Sequence, residues 1–223
     1  SIAGLHAATT AMVALRHVEV SGGDGQEVDI SLLEPILSVL GADQAVHRVS
    51  GVVPGRMGNR SSMAAPRNVY ITKDGGNMAL AASMQSIVVR LFEAIGRPEM
   101  IADPRFATNE ARLANNNELD DIIAAFVADR TLEENLALFE KTGVTVGPVH
   151  DAASLQGDPH VVARQVFVEM EDDHCGSLPM HNVVPRLSAT PGKLQRQAPR
   201  LDQHRQEIIE ELNTSRQQTH SGV

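Results

Sequence analysis

Asp172, Asp173, His174 and Cys175 stand in a row and offer metal-binding or nucleophilic side chains. Neighbours on one turn rarely converge on a single ion, and no second cluster has ligand spacing, so the run reads as a surface turn. Cys175 as a nucleophile needs a nearby cation or a helix start, and its neighbours are acidic. Residues 51–60, Gly-Val-Val-Pro-Gly-Arg-Met-Gly-Asn-Arg, have the glycines of a phosphate loop. They lack the closing Gly-Lys-Ser/Thr and do not run from a strand into a helix. Arg56 and Arg60 still stand out in a chain of net charge -9, and Gly58-Asn59 allows a tight turn between them. An anion contact, such as the phosphates of a nucleotide-like ligand, and a plain surface linker both fit. His6 reads as a hydrogen-bonded core histidine, and Asp29 as a structural acid at a strand end.

The elements that must position these groups follow from periodicity. Apolar residues at Ile2, Leu5, Ala8, Met12 and Leu15 predict a largely buried helix to about residue 18. Glycines 22, 23 and 25 end it, residues 26–30 read as a short strand, and residues 32–47 as a second helix. Residues 49–66 have no period and form a linker or binding loop. Val69-Tyr70-Ile71-Thr72 and Met78 to Ala82 flank an Asp74-Gly75 turn, a β-hairpin signature. Helices are predicted over 85–95, 110–128 and 132–141, the last with the capping-box spacing of Thr131 and Glu134. Residues 144–149 read as an edge strand, 166–171 and 178–184 as paired strands, and 204–212 as a last helix. The tail beyond Asn213 is Ser, Gln and Thr and is expected to be disordered.

Composition narrows the function classes. The chain has 223 residues, 42% of them hydrophobic, which is enough for a core. It has no Trp, one Tyr and a pI near 5.4. Aromatic stacking platforms and phosphate-attracting surfaces are therefore missing, and nucleic acid is a poor partner. A single cysteine excludes an internal disulfide and suits a reducing compartment. No apolar run is long enough for a membrane span, so the cytoplasm is the expected location. Opening on Ser1, directly in a helical pattern, predicts a piece of a longer polypeptide.

Taken in order, the motifs resemble family III CoA-transferases, which include carnitine, formyl and oxalate CoA enzymes. Ala3-Gly4-Leu5-His6-Ala7-Ala8, Ala14-Leu15-Arg16 and Gly25-Gln26-Glu27-Val28-Asp29-Ile30-Ser31 come first. Gly58-Asn59-Arg60, Ala65-Pro66-Arg67-Asn68-Val69-Tyr70, Thr72-Lys73-Asp74-Gly75 and Asp103-Pro104-Arg105-Phe106 follow. Val146-Gly147-Pro148-Val149, Asp158-Pro159-His160, Pro185-Arg186-Leu187-Ser188 and Pro199-Arg200-Leu201 complete the series, so the likeness extends to Leu212.

The resemblance implies an α/β fold: a partial Rossmann-like large domain with a smaller inserted α+β domain. Under that mapping 1–47 is a large-domain segment, 48–65 a linker, 66–108 the small domain, 109–130 a linker helix, 131–212 the return to the large domain and 213–223 a tail. It also implies transfer of coenzyme A from an acyl-CoA to a carboxylic acid by an interlocked homodimer, with CoA as substrate and no permanently bound cofactor or metal. The nucleophilic Asp is expected immediately before Ser1, at the N-cap of the first helix, so this chain alone holds no catalytic residue and is expected to be inactive. Gly4, Arg56, Asn59, Arg60 and Met84 are the expected substrate- and CoA-binding residues. Met84 stands where related acyl-CoA racemases place an acid, which favours transferase over racemase. The four-glycine lid of the formyl-CoA enzyme has no counterpart here. Asp202 replaces the family's usual glycine. A non-catalytic binding or assembly module is the alternative from another class.

Overall fold

The computed structural model describes residues 1–220, with side chains through residue 214. The chain divides into two compact units, residues 1–62 and 63–223.

The first unit is helical. Helix α1 (Ile2–Ser21) ends where Gly22 adopts φ 62 and returns its N–H to the Val18 carbonyl, the left-handed cap that glycine reaches without strain. The strand expected over 26–30 does not form: these residues are irregular. A strand needs a neighbouring backbone to bond to, and the first unit contains no other strand among the described residues. The single helix expected over 32–47 is instead α2 (Glu34–Val39) and α3 (Asp43–Ser50), broken at Gly41 with φ 91. The expectation of a buried first helix also fails. Leu5 is 68% and Met12 64% exposed, and within this unit only Pro35 is buried among the described residues. Two short helices cannot cover a 20-residue apolar cylinder.

The second unit holds the core. Strands β1 (Arg67–Ile71), β2 (Asn77–Ala81) and β3 (Val146–Pro148) form an antiparallel sheet in that order, with Tyr70 opposite Met78 and Ala79 opposite Gly147. Pro148 sits on the edge strand, where its missing N–H costs no ladder bond. Helices α4 (Gln85–Ala94), α5 (Asn109–Ala114), α6 (Asn116–Ala128) and α7 (Leu132–Thr142) surround it, with a 3₁₀ turn at Pro98–Ile101. The buried apolar residues, from Ala65 to Val144, form one cluster that includes Tyr70, Met78, Leu80, Leu91, Phe92, Phe106, Leu119, Ile123 and Phe139. Phe92 and Phe106 meet edge to face at 6.4 Å, a favoured aromatic geometry. Leu119, Ile123 and Val127 of α6 and Phe139 of α7 are fully buried here. Residues of 109–130 contribute to this core, and residues of 131–148 pack with the hairpin.

Buried polar groups tie this core together. Arg112, 1% exposed, donates to the Ala65 carbonyl at 2.7 Å, the Phe106 carbonyl at 2.9 Å and Gln85 Oε1 at 3.0 Å. Tyr70 donates its hydroxyl to Asp120 at 2.6 Å, and Asn68 donates to the same carboxylate at 2.9 Å. Asp74 in the hairpin turn accepts the backbone N–H of Leu132 at 3.1 Å, docking the hairpin on the start of α7. The Thr131 capping box is present as the spacing predicts.

Beyond the core lie α8 (Ala152–Gln156), α9 (Pro159–Ala163), the hairpin β4 (Phe167–Asp172) and β5 (Gly176–His181), and α10 (Arg205–His220). Helix α10 continues past Leu212 through residues expected to be disordered; 221–223 lie outside the described residues. All strand pairs are antiparallel among the described residues.

Candidate functional site

Helix α1 begins with an open first turn. Ser1 is its N-cap, its carbonyl accepting the Leu5 N–H at 3.0 Å, but its side chain caps nothing. The early backbone N–H groups of such a turn, together with the helix dipole, favour an anion. Gly4 occupies the third helical position, and a Cβ there would meet nothing within 4 Å. His6 is exposed, its Nδ1 3.1 Å from the Ile2 carbonyl, so it is no core histidine. Asp29 is also exposed, on the irregular segment where a strand was expected.

Arg56, Asn59 and Arg60 share one loop of the first unit. The Arg60 N–H donates to the Met57 carbonyl at 3.2 Å, closing a turn whose first central residue, Gly58, has φ 62. That left-handed value is why glycine stands there. Arg56 is exposed and has no ion-pair partner among the described residues.

Met84 is in the second unit. It is the N-cap of α4, extended at φ -89 and ψ 139, and 64% exposed. Its carbonyl accepts from Ile87 and Val88, at 2.9 and 3.1 Å. A thioether there is apolar and cannot take a proton from carbon.

The acidic run at the second hairpin is a structural turn. Asp172 accepts the N–H groups of His174 and Cys175 at 2.8 and 2.9 Å, which hold its carboxyl below the usual range. Among the described residues no group of three His, Cys, Asp or Glu side chains could hold a metal ion.

One grouping escaped the sequence reading. His150 Nε2 lies 3.4 Å from Asp158 and Nδ1 lies 3.3 Å from Ser154 Oγ. The trio resembles a serine nucleophile with its base, yet Ser154 donates its proton to Asp151 at 2.8 Å and accepts the Asp151 N–H at 3.0 Å. Its hydroxyl is therefore committed to capping α8 and is not activated by the imidazole. The spacing of His150, Asp151, Ser154 and Asp158 was the available signal.

Residues 1–205 match CoA-transferase family III. Over 212 residues the chain is 39% identical to succinyl-CoA–D-citramalate CoA-transferase of Chloroflexus aurantiacus, covering 95% of this chain and 52% of that protein. It is 29% identical over 211 residues to succinate–glutarate CoA-transferase of Agrobacterium fabrum, with coverage of 95% and 52%. A CAIB/BAIF family protein from Brucella suis superposes with a TM-score of 0.77 at 28% identity, over 95% of this chain and 54% of that one. The chain therefore belongs to CoA-transferase family III, enzymes that work on CoA thioesters, and its mixed helix and sheet fold is that of the CaiB/BaiF structures. It spans about half the length of the curated relatives it matches. No helix among the described residues is long and apolar enough to cross a membrane.

Proposed function

We propose that the complete polypeptide transfers coenzyme A from an acyl-CoA to a dicarboxylic acid through an aspartyl-CoA intermediate, and that this chain supplies the scaffold downstream of the nucleophile. An Asp immediately before Ser1 attacks the thioester carbonyl, and the C–S bond breaks to release CoA thiolate and leave a mixed anhydride. The thiolate then attacks the aspartyl carbonyl, expelling the donor acid and forming the aspartyl thioester. The acceptor carboxylate repeats the exchange in reverse, and the Asp carboxylate is regenerated.

The observation that carries this reading is the match of residues 1–205 to CoA-transferase family III, a match that begins at helix α1. Backbone N–H groups at the amino end of that helix stabilise an ionised carboxylate just ahead of Ser1 and the oxyanion that develops beside it. Gly4 keeps that turn clear of side chains. Arg56, Asn59 and Arg60 contact substrate anions, and Met84 lines the acyl side without offering a base. The dicarboxylic acceptor is supported by relatives named for citramalate, malate and glutarate. Two copies interlock in the cytoplasm, which would cover apolar residues such as Leu5 and Met12.

The test is incubation of the complete protein with succinyl-CoA and an isotopically labelled dicarboxylic acid. Appearance of labelled acyl-CoA is expected. Exchange of the α-proton of an acyl-CoA with deuterated water, without label transfer, would instead make it a racemase.

A further inference from the structure

His150 stands where the sheet of the second unit ends. The residue before it, Val149, donates its N–H to the Asn77 carbonyl of β2 at 2.8 Å, and the residue after it, Asp151, caps α8. Helices α8 and α9 have five residues each, too few to persist in water without tertiary support. The His150 side chain reaches both: Nδ1 faces Ser154 in the capping box of α8, and Nε2 faces Asp158, the N-cap of α9.

Both ring nitrogens face oxygens that can only accept. The Asp151 and Asp158 carboxyls are held below the usual range, chiefly by the backbone N–H groups of Ser154 and Val161, so both are ionised near neutral pH. The single proton of the Ser154 hydroxyl goes to Asp151 at 2.8 Å, and the same oxygen accepts the Asp151 N–H at 3.0 Å. What Ser154 Oγ turns to Nδ1, 3.3 Å away, is therefore a lone pair. Nε2 lies 3.4 Å from an Asp158 oxygen. A neutral imidazole carries one N–H and one lone pair, so it satisfies one acceptor and turns a lone pair on the other. The imidazolium satisfies both. Of the elements that meet at this junction, β3 and α8 carry no ionisable side chain and α9 carries His160, which also acts on Asp158. The side chains of His150 and Asp158 are 25% and 23% exposed, which limits screening of the pair.

We infer that His150 is a proton-operated fastener: doubly protonated, it ties α8 and the start of α9 to the end of the sheet, and on losing one proton it releases one of them. Histidine is the side chain whose ordinary titration spans the physiological range, and a bistable contact of this kind converts a change of pH into local opening. The capping bonds of Asp151 and Asp158 involve no imidazole, so each helix keeps its own start while the tie between them loosens. The role lies outside CoA transfer and does not depend on that reading.

The test is amide hydrogen exchange over residues 152–163 of the complete protein, read by mass spectrometry of its peptides and corrected for the intrinsic effect of pH on exchange. Protection should be roughly two- to fivefold higher at about pH 5.5 than at about pH 8, the size expected of a partly exposed ion pair. His150→Gln should abolish this step. Asp158→Asn should abolish it too, because asparagine still caps α9 but carries no charge. His160→Gln should retain it. A parent with no step, the same step in His150→Gln or Asp158→Asn, or loss of the step in His160→Gln overturns the inference. Should a variant fail to fold, nitrogen-15 NMR of the parent decides. Both ring nitrogens of His150 should carry protons where protection is high and one where it is low, and a singly protonated ring at full protection overturns the fastener.

Discussion

Replacing Arg112 by Met keeps most of the apolar stem but removes the guanidinium that links three parts of the second unit's core. The Ala65 and Phe106 carbonyls, on residues with no exposed surface, each lose a donor, whereas Gln85 is exposed and turns to water. An orphaned buried acceptor costs about 1–3 kcal/mol, so the pair costs about 2–6 kcal/mol. That is a large share of the roughly 5–15 kcal/mol that stabilises a domain. The chain contains its own probe. Tyr70 is the sole tyrosine, there is no tryptophan, and its hydroxyl is buried on Asp120 in the same core. Urea unfolding followed by tyrosine fluorescence should show a large drop in midpoint for Arg112→Met. Arg112→Lys should fall between it and the parent, because an ammonium cannot span the fork. A loss under about 1 kcal/mol for the Met variant would refute the idea that these carbonyls depend on Arg112.

Thr131→Ala removes the hydroxyl that caps α7 and should cost about 1 kcal/mol, read as a shift in urea midpoint. Asp202 has φ 65, so Asp202→Gly should be more stable than Asp202→Ala by about 1 kcal/mol in thermal unfolding, since only glycine occupies that region freely. The exposed pair with Arg205 is lost equally in both variants. Asp74 is held below the ordinary carboxylate range mainly by the Thr72 hydroxyl, and also by backbone N–H groups including that of Leu132. Its folded value lies below its unfolded value of about 4. Its contribution is therefore complete above that value and disappears as pH falls through the lower folded one. Acid unfolding of the hairpin core should be less steep in Asp74→Asn than in the parent, and an unchanged acid limb would contradict this.

Local signals foretold local structure well. The Asp74-Gly75 turn set the first hairpin and the Thr131 and Glu134 spacing set the start of α7, because each depends on neighbouring residues alone. Residues 26–30 have strand composition, but a strand is completed by a partner that composition does not specify. Nothing in the residues beside Arg112 marks it for burial, which the three carbonyl oxygens converging on it explain. Helix α10 ran past Leu212 although its later residues read as a polar tail. The order of family motifs was legible from end to end. Asp202 was recognisable as a replaced glycine, and its positive φ gives that replacement a physical meaning.

The most direct measurement is trapping of the covalent intermediate. The complete protein is incubated with succinyl-CoA, quenched with hydroxylamine, and its peptides are sequenced by mass spectrometry. A hydroxamate on an aspartate immediately preceding Ser1, formed only when acyl-CoA is present, is the predicted result. Transfer of CoA with a different side chain labelled, or with a non-acidic residue at that position, would contradict it.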